Sequence, residues 1–157
     1  MSRMLAYIAD RTLTPPEAWG VELLETFADL ARLHADGGGT ACIGASGDLA
    51  GEGGVQHFVP SDLDGAESST ARLLYLRFAS KGSPALPENT QPFVRDGLAF
   101  QHNGLLAPRD RALDLLTPAD IGELVGTTDS EVYFGVVRRH LRDAGSAETE
   151  RLTTIAA

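Results

Sequence analysis

The sequence predicts a mixed α+β domain, layered αββα around antiparallel sheet, and three observations carry that expectation. A strand-length apolar run begins almost at the first residue, further short β-prone runs occupy the middle of the chain, and helical patterns crowd the final third. With 157 residues, 43% hydrophobic and 22% charged, the chain can form one domain over 1–157 with its own core, and it is too balanced for a collagen, a coiled coil or a disordered tract.

Residues 3–9 set Leu5, Tyr7 and Ile8 among small neighbours and predict a strand, bounded by Asp10 and Arg11. Thr14, Pro15, Pro16 and Glu17 read as a capping box with proline at the first helical position. Leu24, Phe27, Ala28 and Ala31 then recur on one face, so a single helix is expected over 15–33. Gly37, Gly38 and Gly39 end it, because residues without a Cβ lose most backbone entropy in a helix and suit tight turns. Residues 40–45 and 54–59 read as a hairpin joined through Gly47, Asp48, Gly51 and Gly53. A polar stretch over 61–69 precedes a strand over 71–78, and a further strand over 97–102 alternates Leu98, Phe100 and His102 against Ala99 and Gln101. Between these two strands Gly82, Pro84, Pro87, Asn89 and Pro92 predict a loop without regular structure, of a length often given to function. Thr117, Pro118 and Asp120 open a short helix. A second Thr-x-x-Glu box, Thr128 to Glu131, opens a longer one along Val132, Val136, Val137, His140 and Leu141, with Gly145 as its stop and a third helical stretch from Ser146 toward Ala157.

Composition excludes several function classes. Thirteen basic against 22 acidic residues give a net charge of −9, a field that repels phosphate backbones, so no nucleic-acid partner is expected. Cys42 is the one cysteine, which leaves no intrachain disulfide and points to a reducing compartment. No signal-like apolar segment and no membrane-length run occurs, so the expected location is cytoplasmic, with no membrane contact. The histidines at 34, 57, 102 and 140 lack metal-ligand spacing and read as surface or packing residues; Cys42 reads as a small core residue. The 37–39 glycines lack the lysine of a phosphate loop.

Six stretches read together are more specific: Met1 to Ile8; His34-Ala-Asp36-Gly37; Arg77-Phe-Ala-Ser-Lys-Gly82; Asn89-Thr-Gln-Pro-Phe93; Phe100-Gln-His-Asn-Gly104; and Thr128-Asp-Ser-Glu131. In this order they resemble the class II glutamine amidotransferases, a branch of the N-terminal-nucleophile (Ntn) hydrolases. The resemblance implies the four-layer αββα Ntn-hydrolase fold, incomplete at the C-terminus because relatives are longer. It implies loss of Met1, so that the α-amino group of Ser2 serves as general base for its own hydroxyl. An α-amino group titrates at roughly 7.7–8.0, where it can accept a proton at physiological pH. Asn103, through its side-chain amide, and Gly104, through its backbone N–H, become the oxyanion donors. Arg77 with Ser80 and Asp129 become the substrate-binding residues, the arginine for an α-carboxylate and Asp129 for an α-ammonium. The implied ligand is a small molecule, glutamine or a γ-glutamyl amide. No metal and no cofactor are implied, and a homo-oligomer or a separate synthase chain is the implied partner, since these residues hold no synthase domain.

Each residue also has a plainer reading: a salt bridge for Arg77, helix-dipole complementation for Asp129 and a post-strand turn for Asn103-Gly104. The sequence departs from the family pattern at Ser2, where cysteine is usual, at Tyr75, where histidine is common, and at Gly38, where an aromatic residue is common. A thiol ionises far more readily than an alcohol, so the rivals to an active hydrolase are a glutamine-binding module with an idle Ser2 and an interaction domain without a pocket.

Overall fold

A computed structural model describes residues 1–55, 63 and 65–144 and the backbone of 155–156. The protein is α+β. One sheet has strand order β1 (Arg3–Leu13), β4 (Ser69–Leu76), β2 (Gly38–Ile43), β3 (Leu49–Gly54), every pair antiparallel. A smaller sheet joins β5 (Phe93–Arg95), β6 (Leu98–Gln101) and β7 (Ile155–Ala156), the last pair parallel. Helices α1 (Pro15–Trp19) and α2 (Val21–Ala31) serve the first sheet, where Phe27 and Ala31 pack on Leu74 and Leu76. Helix α5 (Asp129–Ala144) serves the second, with Phe134 and Leu141 on Leu98 and Phe100. The short helices α3 (Arg109–Leu113) and α4 (Pro118–Gly122) flank α5, where Ala112 and Leu116 meet Val132.

Strand β4 is inner, buried along nearly its whole length, and its two faces do different work. Leu74 and Leu76 form core with α2, while Tyr75 points the opposite way, with Arg77 next on that side just beyond the strand.

Several expected boundaries move. Strand β1 continues through Asp10 and Arg11, with a register irregularity between Ile8 and Leu13, because it is an edge strand whose polar residues can face water. The single helix expected over 15–33 is two, broken where Gly20 takes φ +79°. The hairpin slides toward the N-terminus: glycines expected to turn the chain instead lie in β2 and β3. A Cβ on Gly39 would stand 2.3 Å from the Gln91 carbonyl oxygen, and one on Gly51 would stand 2.7 Å from the Val94 side chain. The glycines let the 90–94 segment lie directly against the sheet. That segment, expected to be irregular, contains β5, which turns into β6 at Asp96-Gly97, both at positive φ, the conformation of a tight hairpin. Strand β6 is shorter at both ends than the expected 97–102 run, and α3 had no counterpart in the sequence pattern. The second strand of the expected hairpin (56–59), the Gly145 stop and most of the third helical stretch fall outside the described residues; at its end, 155–156 are strand, not helix.

Candidate functional site

Three chain segments end on the same side of the molecule. The antiparallel register Arg3↔Leu76 brings Ser2, one residue before β1, to the level of Arg77, one residue after β4. Strand β6 of the second sheet ends nearby, with Gln101 donating to the Leu5 carbonyl of β1 across the sheets at 3.3 Å. Between them lies a cavity of about 410 Å³. Ser2, Arg77, Ser80, Asn103 and Gly104 all line it, so five of the six residues singled out from sequence share one hollow.

Ser2 is buried, and its Oγ accepts two hydrogen bonds, from the Tyr75 hydroxyl at 2.8 Å and from the Phe78 backbone N–H at 3.1 Å. The Asn103 amide donates to the Ser2 carbonyl at 2.9 Å. A carboxamide has two N–H donors, and the second has no partner among the described residues. A Cβ on Gly104 would meet the His102 ring at 2.7 Å, so a side chain there would collide with the ring that flanks the turn.

Arg77 is 3% exposed, yet among the described residues its guanidinium meets neutral groups alone: the Ser83 hydroxyl and the Pro84 carbonyl, each at 3.0 Å, and the Asp36 carbonyl at 3.4 Å. No carboxylate pairs with it among the described residues. A cation buried without a counter-ion is costly unless something else supplies the charge, and the cavity it lines is where that charge can come from.

Asp129 differs from the other five. Its neighbours Thr128 and Ser130 line the cavity, but its own oxygens accept the Leu106 N–H at 2.6 Å and the Ser130 N–H at 2.9 Å. It therefore ties the segment after Gly104 to the start of α5. The Thr128-x-x-Glu131 box is half formed: the Thr128 hydroxyl caps Glu131 N–H at 3.2 Å, while the Glu131 carboxylate takes the backbone N–H groups of Val125 and Gly126 at 2.8 and 2.7 Å. Ser80 is exposed at the rim, and its carbonyl accepts the Ser83 N–H at 2.9 Å.

Sequence reasoning missed three members of the site. Tyr75, noted only as a departure, touches the nucleophile candidate. Gln91 is buried and donates to the Tyr75 hydroxyl at 3.2 Å and to the His102 carbonyl at 3.1 Å, while its own carbonyl accepts the His102 N–H at 2.5 Å. His34, read as a surface or packing residue, is buried with its ring between the Leu30 and Met1 carbonyl oxygens, at 2.7 and 3.0 Å, beside the peptide bond that precedes Ser2. A signal for Tyr75 was present: it stands two residues before Arg77 in the strand expected over 71–78 and there shares its face. Gln91 and His34 both fall within the motif stretches quoted from the sequence, but the motifs do not give their contacts, which His34 makes with the Met1 carbonyl and Gln91 with Tyr75 and His102.

No family model matches this chain, and no curated protein does. The chemistry is therefore read from these residues alone. Among the described residues no group of three His, Cys, Asp or Glu side chains is placed to hold a metal, and no helix is long and apolar enough to cross a membrane.

Proposed function

We propose that the chain is a class II glutamine amidotransferase-like amide hydrolase of the four-layer αββα Ntn type, which releases ammonia from glutamine or cleaves a γ-glutamyl amide through Ser2. One observation carries the reading: the Ser2 hydroxyl, the Asn103 amide and an uncompensated buried Arg77 face a single cavity. Placement of α1 and α2 on one sheet and α5 on the other supports the layered arrangement.

With Met1 removed, the Ser2 amine takes the proton of Oγ, and the oxygen pair attacks the carboxamide carbon. The free Asn103 N–H and the Gly104 backbone N–H stabilise the oxyanion. Collapse expels the nitrogen, which leaves as ammonia with the proton held by the amine, and water then hydrolyses the Ser2 ester to free the acid. Arg77 holds the substrate carboxylate bidentately, and that carboxylate supplies the negative charge the site lacks. The ammonium is assigned to Asp129, whose carboxylate has lone pairs left beyond its two backbone bonds.

The test is glutamate release from glutamine by Met1-processed protein and by Ser2→Cys, with glutamine binding followed in parallel. Release by either supports the hydrolase. Binding by both without release supports the idle binding module, and glutamine failing to raise the melting temperature at millimolar concentration supports the interaction domain.

A further inference from the structure

We infer that Tyr75 is an additional catalytic residue: its hydroxyl and the Phe78 N–H clamp Ser2 Oγ and make an alcohol serviceable as the nucleophile, with Gln91 as the positioning residue that aims the phenol. The inference rests on the hydrolase reading above and adds to it the device by which serine does the work.

The geometry assigns the protons. Gln91 Nε2 can only donate, so the Tyr75 oxygen accepts from it and its own proton is directed at Ser2 Oγ, 2.8 Å away. The Gln91 amide cannot turn over without loss, because its carbonyl is held by the His102 N–H and its nitrogen also serves the His102 carbonyl. Ser2 Oγ thus accepts two bonds, and among the described residues its own proton has only the Phe78 carbonyl in reach, at 3.5 Å, beyond a normal O–H···O distance. That proton is the one left free for the amine. Its departure uncovers a third electron pair, which attacks the carbonyl carbon, while the two donors stay on the pairs they already hold and stabilise the alkoxide character of the oxygen. No proton leaves Tyr75 in this step. Burial pushes its phenol up, against the Ser2 hydrogen bond and the Arg77 charge that pull it down, so it remains a donor at neutral pH. A thiol ionises near neutral pH without such donors whereas an alcohol does not, so a cysteine at position 2 depends far less on the same clamp.

The deciding experiment is a double-mutant cycle on Met1-processed protein, with glutamate release from glutamine as the readout. In the Ser2 background Tyr75→Phe is expected to lower kcat about 10²-fold with KM nearly unchanged, the scale of one lost donor at a developing oxyanion. In the Ser2→Cys background the same change is expected to cost less than about threefold. Equal losses in the two backgrounds, or a loss confined to KM, overturn the inference while leaving the hydrolase standing. Release by Ser2→Cys alone overturns this inference and leaves the hydrolase standing, and release by neither form overturns both. Gln91→Glu is the second variant, should Tyr75→Phe fail to fold. It keeps the acceptor for His102 N–H but turns the group beside Tyr75 into an acceptor that draws the phenol proton away. Its kcat is expected to fall at least about tenfold in the Ser2 background and less than about threefold in the Ser2→Cys background. Equal losses for Gln91→Glu in both backgrounds also overturn the inference.

Discussion

Arg77 and Arg138 are both buried, at 3% and 5% exposure, yet their surroundings differ in the one respect that matters for a cation. Arg138, on α5, is held by Asp96 of the β5–β6 turn and by Glu123 after α4; its Nε lies 3.0 Å from Asp96 and its terminal nitrogen 2.8 Å from Glu123. Burial works against its charge, but the two carboxylates outweigh that and hold the guanidinium pKa above its ordinary value. Arg77 has three neutral oxygens and a cavity. The first arginine is a finished structural tie. The second has no carboxylate partner among the described residues, and on the proposed reading a substrate carboxylate supplies its counter-charge.

The difference can be broken at either end. The largest expected effect is on turnover: Arg77→Lys or Arg77→Met lowers kcat/KM for glutamine by about 10²- to 10³-fold, because a bidentate carboxylate clamp is lost, whereas Arg138→Met changes it less than about threefold. Steady-state kinetics check both, and a comparable loss for Arg138→Met would erase the distinction. Stability should run the other way. In urea unfolding, Arg138→Met is expected to lose about 1–2 kcal/mol, less than a fully buried pair because Asp96 and Glu123 are themselves about half exposed. Arg77→Met should stay within about 1 kcal/mol, since it also removes an unpaired buried charge. Next in size is ligand stabilisation: glutamine at about ten times its Kd should add about 1.4 kcal/mol to the parent and to Arg138→Met, and nothing to Arg77→Met.

The smallest effect lies on the finished side of the molecule, at Asp120. The Thr117 hydroxyl and backbone N–H, with Arg142 beyond them, hold its carboxyl below the ordinary range. A depressed carboxyl contributes stability above the unfolded value of about 3.9 and loses it as pH falls through the folded value. Thr117→Val should therefore move the acid-unfolding midpoint upward by a few tenths of a pH unit, followed by circular dichroism.

What the sequence revealed follows the same division between local and distant causes. Strand β4 and helix α5 were legible because their apolar spacing and the Thr128 cap are written within a few residues. The Gly20 break was not, since a tryptophan-glycine pair inside an otherwise periodic run gives no warning that the backbone will turn left-handed there. Strand β3 was missed for a long-range reason: its glycines look like turn residues until the 90–94 segment is laid on them. Strand β5 had a local signal, Asp96-Gly97, which the proline content of the preceding loop overshadowed. At the site, motif residues at element ends brought Ser2, Arg77, Asn103 and Gly104 to one cavity. Tyr75, Gln91 and His34 owe their placement to contacts between segments far apart in the chain, which residue type alone does not encode.

The most direct measurement compares glutamate release by two forms of the same protein, one with Ser2 as its first residue and one carrying an uncleaved glycine before it. If the terminal amine is the base, the free form turns over at least about 10²-fold faster, with a rate that climbs between about pH 7 and 8 as the amine loses its proton. Equal rates, or a flat profile across that range, would contradict the account.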